Sequence, residues 1–290
     1  MEISAPARLA LKNRQMSIER EGYDPVTVPV EDIGLLILDH PAISHTQGLL
    51  AACFENNVAV LLCGTRRLPG AVLTPLEGNS LQSRTIAQQV QITRPVRKRL
   101  WQAIIRAKIR QQATVLSHAA EGENPLFAYA ARVKSGDPDN IEAQAARIYW
   151  QRLFGKDFRR DPDTPGINSL LNYGYAVMRA AVARALVGTG LHPSLGIHHH
   201  NQYNSFCLAD DLIEPLRPAV DLRVYMIGKM TPPIELELTP ENKRALLEVL
   251  SWDFLINGGR LPLMPALHHY AASVRKAICG EVEKVEIPCL

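Results

Sequence analysis

Residues 190–221 read GLHPSLGIHHHNQYNSFCLADDLIEPLRPAVD, and the rest of the chain is interpreted around this stretch. It contains three consecutive histidines, two adjacent aspartates and a glutamate, with no lysine or arginine before Arg217. Asp211 and Glu214 are three residues apart, so on a helix they share one face. Two carboxylates this close repel each other unless a cation lies between them or one stays protonated. With a histidine nitrogen added, the set suits Mg²⁺ or Mn²⁺, and the nitrogen favours manganese.

The same stretch also has a purely structural interpretation. Three histidines in a row occur in polar loops, and an Asp-Asp pair often caps a helix or faces water. Taken alone, the stretch does not decide between a metal site and a polar loop, so the rest of the chain has to be considered.

The overall composition is that of an ordinary globular protein. The 290 residues suffice for one large or two moderate domains, and 47% are hydrophobic and 21% charged. No apolar run approaches the roughly 20 residues of a membrane-spanning helix, and the N-terminus lacks the apolar core of a signal peptide. The five cysteines are scattered without a CxxC pair. This argues against a zinc ribbon or a disulfide framework and predicts free thiols in a cytoplasmic protein.

A basic segment without acidic residues runs from Arg94 to Arg110. Its apolar positions fall on one face of a predicted helix that begins near Pro95, and most of its basic side chains fall off that face. Such a basic face is either simply solvated or contacts phosphates. The net charge of +3 does not by itself indicate a nucleic-acid partner. The seven basic residues are Arg94, Arg97, Lys98, Arg99, Arg106, Lys108 and Arg110.

The hydrophobic pattern predicts an α+β fold, with an N-terminal β-rich lobe over residues 1–75 and a larger, all-α domain over 88–290 that carries the candidate metal-binding residues. In the first part, alternating segments at 8–11 and 15–19 flank a turn at 12–14, and apolar runs at 33–38 and 58–62 flank a helical pattern at 46–55. We expect this lobe to serve folding and association.

A linker is predicted over 76–87, following a Pro- and Gly-rich segment (66–80) that ends the strand pattern. From there on the chain reads as helical. Helices are predicted over 82–90, from Pro95, over 126–134, from Asn140 through Phe154, and over 168–187, 223–230, 240–257 and 268–279. Asp139 or Asn140 is the expected N-cap of the helix that carries Glu142. A glutamate in a first turn commonly does no more than complement the helix dipole.

Five separated motifs, in order along the chain, resemble the CRISPR-associated endonuclease–integrase family Cas1. They read EDIGLLILDHPAISHTQGLLAACFENNVAVLLC, RPVRKRLWQAIIRAKIRQQA, DNIEAQAARIYWQRLFG, NSLLNYGYAVMRAAVARAL and GIHHHNQYNSFCLADDLIEPLRPAVD. The resemblance covers nearly the whole chain and is to the form that accompanies Cas9, type II, subtype II-C.

The resemblance implies that Glu142, His199 and Glu214 bind a catalytic Mg²⁺ or Mn²⁺, with Asp211 as a supporting catalytic residue. Glu142 matches a family glutamate, although Ile141 is an insertion relative to the family's N-E-A-Q pattern. The matching histidine belongs to a G-(hydrophobic)-(aromatic)-H pattern, which here selects His199. His198 and His200 flank it, so the sequence alone does not decide which of the three histidines binds the metal.

The implied activity is insertion of short DNA duplexes, as new spacers, into the CRISPR array by attack of a 3′-hydroxyl on a phosphodiester. Attack by water at the same site would cleave DNA. The basic segment, with Arg132, Lys134, Arg147 and Arg152, would contact backbone phosphates. The implied partners are double-stranded DNA, a second copy bound through the β-rich lobe, Cas2 flanked by two such dimers, and Cas9.

Two other functions compete with this interpretation. A non-catalytic DNA-binding scaffold would bind DNA without metal-dependent turnover, but Glu142, His199 and Glu214 are all retained. A metal-dependent phosphohydrolase acting on small molecules would be indifferent to DNA length, and the acid-free basic segment argues against it.

Overall fold

The computed structural model describes residues 1–64, 68–119, 122–230 and 236–290. It is a mixed α+β protein with an N-terminal β-region and a helical C-terminal part, as predicted. The N-terminal region contains two four-stranded sheets, in the orders β1-β5-β7-β8 and β4-β3-β2-β6. The strands are β1 (Glu2–Ile3), β2 (Ala7–Lys12), β3 (Gln15–Glu19), β4 (Val26–Pro29), β5 (Leu35–Leu38), β6 (Ile43–His45), β7 (Ala59–Cys63) and β8 (Pro69–Leu73).

The turn predicted at 12–14 joins two strands of a hairpin. Strands β2 and β3 pair antiparallel, with Lys12 opposite Gln15. The two turn residues, Asn13 and Arg14, have positive φ angles of 50° and 62°. Such angles are those of a tight hairpin turn whose twist matches that of the strands.

The two apolar runs form the parallel strands β5 and β7, joined through helix α1 (Gln47–Glu55). All four residues of β5 are buried. Leu36 and Leu38 pack into the core of the N-terminal region, whereas Leu35 and Ile37 join the core of the helical part. The sheet is therefore covered on both faces, which explains why its strands read as continuous apolar runs.

A buried ion pair also connects the two parts of the chain. Asp39 follows β5 directly, and its Oδ2 lies 2.7 Å from the Nζ of Lys243. Both side chains are almost completely buried, at 2% and 4% exposure. Because an unpaired buried charge is costly, each side chain depends on the other being in place.

The linker segment is more structured than expected. Strand β8 lies within the segment 66–80 that was expected to end the strand pattern, so that expectation is wrong; Arg66 and Arg67 lie outside the described residues. Helix α2 (Gln82–Val90) begins inside the predicted linker. A Cβ at Gly78 would come within 2.5 Å of Val187, so the chain packs tightly there. The domain boundaries themselves stay a prediction.

The helical part is arranged around α6 (Ile167–Gly188), a 22-residue helix with most of its side chains buried. The remaining α-helices of the described residues are α3 (Arg94–Ala119), α4 (Leu126–Arg132), α5 (Ile141–Phe154), α7 (Cys207–Ile213), α8 (Arg217–Met230), α9 (Pro240–Leu247) and α10 (Leu263–Ile278). Gly174 of α6 faces Val220 of α8, and any Cβ at Gly174 would overlap the valine side chain. Glycine is therefore what allows these two helices to approach so closely.

The expectation of an all-α C-terminal domain is wrong at one place. The helix predicted over 240–257 ends at Leu247, a 3₁₀ turn follows at Glu248–Ser251, and the chain then forms a hairpin of β9 (Asp253–Ile256) and β10 (Gly259–Pro262). The turn residues Asn257 and Gly258 have φ angles of 53° and 74°. Asn-Gly is a strong signal for such a turn, and it overrides the helical periodicity before it.

The described part of the chain contains neither a disulfide nor a membrane-spanning helix. All five cysteines are free thiols. In the described ranges, no helix combines the length and the apolar character needed to cross a membrane.

Candidate functional site

Glu142 lies in the first turn of α5, and its carboxylate is not needed to cap that helix. Asn140, in the left-handed conformation, accepts a hydrogen bond from the backbone N–H of Ala143 at 3.4 Å. The carboxylate of Asp137 accepts the N–H groups of Ile141 and Glu142 at 2.9 and 3.0 Å. Since Asp137 already complements the helix N-terminus, the Glu142 carboxylate is free to turn toward neighbouring elements.

Glu214 comes from a different element, the 3₁₀ turn Glu214–Leu216 between α7 and α8. Its side chain is only 7% exposed. Its Oε1 lies 3.0 Å from the Nε of Arg217, one turn further along the chain. Burial alone would raise the pKa of this carboxyl, but Arg217 and Lys108 outweigh it and lower the pKa to about 2. Glu214 is therefore a carboxylate at neutral pH.

Lys108 of α3 lies between the two glutamates. Its Nζ is 2.5 Å from Oε1 of Glu142 and 2.5 Å from Oε2 of Glu214. Because both oxygens contact one nitrogen, they are no further apart than twice that distance. Burial opposes the charge of Lys108, but Glu214 and Glu142 outweigh this effect and raise its pKa. The two carboxylates thus share one internal cation.

Lys108 is predicted to face outward with the other basic residues of the segment, but in the structure its side chain points inward. Its side chain is 12% exposed. Buried residues lie three and four positions before Lys108 (Ile105 and Ile104) and three and four positions after it (Gln111 and Gln112). That helical spacing was the available signal for an inward lysine.

His199 is oriented by Asp211, which is fully buried. The Asp211 carboxylate accepts the backbone N–H groups of residues 197, 198 and 199 at 2.5, 3.0 and 3.1 Å. It also lies 2.7 Å from Nδ1 of His199 and, through this hydrogen bond, raises the pKa of that imidazole. A Cβ at Gly196 would overlap the backbone of His199, so this turn requires glycine. Holding Nδ1 in this way leaves Nε2 of His199 available to a ligand.

The other two histidines of the triplet are placed differently. The ring of His198 stacks on Trp101 with centroids 4.0 Å apart and planes at 3°. Burial lowers the pKa of His198, which favours its neutral form. The side chain of His200 is exposed. Within the triplet, His199 is thus the histidine whose ring is held by a buried carboxylate.

The donor set around Lys108 has the chemistry of a site for a hard divalent cation. Two glutamates and one imidazole match the ligands that magnesium and manganese accept. Oε2 of Glu214 is buried and, although close to Lys108, has no aligned hydrogen bond. Within the described part of the chain, however, no three His, Cys, Asp or Glu side chains already converge as a metal cluster. The residues fit a cation provided that the Lys108 ammonium moves away from the carboxylates.

Behind Glu214 lies a buried polar group that the sequence interpretation missed. Asp221 of α8 accepts hydrogen bonds from the hydroxyl of Tyr149, at 2.9 Å, and from that of Tyr175. Burial raises the pKa of Asp221 to about 7, although both tyrosines act in the opposite direction. The ring of Tyr175 also supports the guanidinium of Arg217 at 4.6 Å, so this group backs the Arg217–Glu214 pair.

Apart from the inward Lys108, the basic residues of α3 divide into two sets. Arg97 donates to the carbonyl of Gly196 at 2.5 Å, and Arg106 donates to that of Val133 at 3.1 Å, so both hold loops next to the site. The side chains that remain exposed are Arg94, Lys98, Arg99 and Arg110.

Further basic residues surround an open cavity of about 620 Å³ beside the start of α5. Arg106, Arg132 and Lys134 line it, together with Ile141. Arg147 is exposed on α5, and Arg152 donates to the carbonyl of Glu123. Their role as phosphate contacts stays a prediction.

Comparisons with known proteins agree on one family. Residues 3–230 match the family described as CRISPR associated protein Cas1. Over 285 residues the chain is 39% identical to the CRISPR-associated endonuclease Cas1 of Neisseria meningitidis serogroup C (strain 8013), spanning 96% of this chain and 91% of that protein.

Solved structures show the same fold. A casposase bound to an integration product matches with a TM-score of 0.78 at 20% identity, over 99% of this chain and 91% of that one. A chain of a partial Cas6-RT-Cas1–Cas2 complex matches with a TM-score of 0.62 at 18% identity, over 97% and 95%.

Proposed function

The chain belongs to the Cas1 family of CRISPR-associated endonucleases, and on this basis we propose that it is a metal-dependent DNA endonuclease and integrase. It inserts short DNA duplexes, as new spacers, into the CRISPR array through attack of a 3′-hydroxyl on a phosphodiester. Attack by water at the same site yields DNA cleavage. The metal is Mg²⁺ or Mn²⁺, held by Glu142, His199 and Glu214.

One observation carries this proposal. Two glutamates from separate elements meet at one buried nitrogen, beside a histidine whose ring is fixed by a buried aspartate. The arrangement concentrates negative charge where a cation is required, and the contact of Asp211 with His199 supports a positioning role for this aspartate. A divalent cation bound there would withdraw charge from a scissile phosphate and lower the pKa of the attacking hydroxyl.

The side chains of this protein have separate tasks in the proposed reaction. Asp137 and Asn140 hold the start of α5 so that Glu142 faces Glu214. Arg217 keeps Glu214 ionised. Lys108 balances both carboxylates, and its ammonium would be free to contact a phosphate oxygen if these carboxylates held a metal.

DNA and Cas2 are the proposed partners, together with a second copy of the chain and Cas9. Two structural relatives support DNA and Cas2: the casposase is bound to an integration product, and another relative is part of a complex with Cas2. The exposed basic residues Arg94, Lys98, Arg99 and Arg110 are the proposed phosphate contacts of α3, while Arg97 and Arg106 border the DNA from the loops they hold. Such contacts give affinity and salt dependence and leave base choice to other groups.

A strand-transfer assay tests the proposal. The purified protein and its Cas2 partner are mixed with a labelled duplex bearing free 3′-hydroxyls and a supercoiled plasmid that carries the repeat, in Mn²⁺, Mg²⁺ or EDTA. We expect label in the plasmid only with metal, and none with Glu142→Gln, His199→Ala or Glu214→Gln. Glu283→Gln, at an exposed position, is the matched control. DNA binding without transfer or nicking under any metal would establish the scaffold function instead.

A further inference from the structure

A buried glutamine on α3 contacts the turn that carries Glu214. Gln111 is 2% exposed, and its Nε2 donates to the carbonyl of Pro215, the residue after Glu214, at 2.5 Å. Pro218, three residues further along, has no N–H, so it cannot supply the hydrogen bond that would close a 3₁₀ turn on this carbonyl. The side chain of Gln111 therefore takes the place of a backbone donor at the turn Glu214–Leu216.

The other hydrogen bonds of Gln111 go to a segment far along the chain, residues 285–290, which we call the strap. Nε2 of Gln111 also donates to the carbonyl of Pro288 at 2.9 Å, and its Oε1 accepts from the backbone N–H of Leu290 at 3.2 Å. The amide nitrogen thus faces two carbonyl oxygens, and the reversed amide would place its own oxygen against them. The strap therefore fixes the orientation in which Gln111 reaches Pro215.

The strap is itself held by neighbouring elements. It pairs antiparallel with β9, where the N–H of Leu255 donates to the carbonyl of Cys289 at 2.7 Å and the N–H of Cys289 donates back at 3.0 Å. On α10, Oγ of Ser273 accepts the N–H of Glu286 at 3.0 Å. The apolar strap residues that pack against the core of the helical part are Val285, Ile287 and Leu290. Hydrogen bonds and apolar contacts therefore tie the strap to β9, to α10 and to the core.

Helix α3 holds the turn at two points. Lys108 precedes Gln111 by three residues, so the two side chains share one face of the helix. Nζ of Lys108 lies 2.5 Å from Oε2 of Glu214, whereas Gln111 bonds the backbone of the next residue. A cation between the carboxylates requires the Lys108 ammonium to move away. The hydrogen bond of Gln111 then still connects α3 to the turn.

We propose that Gln111 is a positioning residue for Glu214, and that the strap holds the Gln111 carboxamide in the orientation this role requires. Metal affinity depends on groups that fix the ligands before the cation arrives, because a ligand that is ordered only on binding costs entropy. Gln111 touches neither the substrate nor the cation and acts through the backbone of the turn. The inference rests on the proposed function, because it takes Glu214 to be a metal ligand.

The test measures the Mn²⁺ affinity of the 290-residue chain by isothermal titration calorimetry. Gln111→Met keeps the length of the side chain but removes its three hydrogen bonds, and we expect an affinity loss of about tenfold, as for other groups that orient metal ligands. Leu290→Pro removes only the N–H that faces Oε1 of Gln111, and we expect a loss of about threefold, as for one neutral hydrogen bond. The preceding Cys289 is already in an extended bridge, which a following proline tolerates.

Asn79→Leu is the matched control, because it removes a carboxamide that bonds other parts of the backbone. Asn79 donates to the carbonyl of Gly188 at 3.1 Å and accepts from the N–H of Leu81 at 2.9 Å. This variant should also lower the free energy of unfolding, but it should bind Mn²⁺ as wild type does. Hydrogen exchange in EDTA is the second measurement: the peptide 216–220 should exchange faster in Gln111→Met and Leu290→Pro and at the wild-type rate in Asn79→Leu.

Wild-type Mn²⁺ affinity and exchange rates in a folded Gln111→Met or Leu290→Pro protein would overturn the proposal, as would an equal loss of affinity in Asn79→Leu. If Gln111→Met does not fold, Leu290→Pro decides the matter. Failure of the proposed function gives a different pattern, because wild type itself then binds no Mn²⁺ and transfers no label. The exchange rates in EDTA still show in that case whether Gln111 and the strap hold the turn.

Discussion

Replacing Lys108 with methionine removes the cation that the two buried glutamates share while keeping the side-chain length. The pKa of Glu214 is about 2, against an ordinary value of 4.5. At about 1.4 kcal/mol per pKa unit, this difference corresponds to about 3 kcal/mol of stability at neutral pH. Arg217 supplies part of it, but the loss of Lys108 also leaves Glu142 facing Glu214 without a counter-ion. We therefore expect Lys108→Met to lower the free energy of unfolding by about 2–3 kcal/mol in metal-free buffer.

The contribution of Glu214 to the stability of the protein depends on pH. A carboxyl with a lowered pKa stabilises the fold above its unfolded pKa of about 4.5, and that contribution is lost as pH falls through about 2. Without Lys108 the pKa of Glu214 rises toward its unfolded value, so the variant should lose less stability than wild type as pH falls from about 4.5 toward about 2. Added Mn²⁺ should also stabilise Lys108→Met more than wild type, because no ammonium has to leave.

Urea unfolding followed by circular dichroism, in EDTA and in Mn²⁺ over pH 3–8, measures all three effects. Lys276→Met, at an exposed position on α10, is the matched control and should change stability by no more than about 0.5 kcal/mol. If Lys108→Met were as stable as wild type in EDTA and lost as much stability at acid pH, the ion pair shared by Lys108, Glu142 and Glu214 would not stabilise the protein. That result would refute the prediction.

Three further predictions concern stability. Burial raises the pKa of Asp221 to about 7, so the stabilising effect of this carboxyl is present below about pH 4 and is lost as pH rises through 7. Asp221→Asn should remove up to about 4 kcal/mol of this pH dependence of the free energy of unfolding, measured with urea. An unchanged dependence on pH in the variant would contradict this prediction. Asp137→Asn weakens one cap of α5 and should lower the free energy of unfolding by about 1 kcal/mol. It should also lower the affinity for Mn²⁺, measured by titration. If both quantities were unchanged, the capping role of Asp137 would be refuted. Gly174→Val should lower the free energy of unfolding by about 1–3 kcal/mol, because the new side chain overlaps Val220. Gly228→Ala in α8 should not have this effect, because that position has room for a Cβ. Equal effects of the two substitutions would be inconsistent with tight packing at Gly174.

Local patterns in the sequence predicted most of the individual elements. The hairpin around Asn13 and Arg14, the helix capped by Thr46 and the helix capped by Asn140 all follow from short-range signals. Such signals act within a few residues, where turn geometry and capping dominate. The hairpin at 253–262 was missed because the helical spacing was extended as far as Asn257, and Asn257-Gly258 was not interpreted as the turn of a hairpin.

Contacts between distant segments could not be read in the same way. Nothing local to Asp39 identifies Lys243 as its partner, and nothing local to Glu142 shows that Asp137 has already taken over the capping role. Lys108 was grouped with its basic neighbours because charge was counted along the chain and not around the helix. Its partners lie 34 residues or more away in sequence, so only the tertiary structure brings them together.

Manganese binding, measured by electron paramagnetic resonance, tests the proposed metal site with the protein alone, because it needs neither DNA nor Cas2. We expect one tightly bound Mn²⁺ per chain in wild type. This binding should be lost in Glu142→Gln, His199→Ala and Glu214→Gln and retained in His198→Ala. A wild-type protein without tight Mn²⁺, or a His199→Ala variant that retains it while His198→Ala loses it, would contradict the proposed metal site.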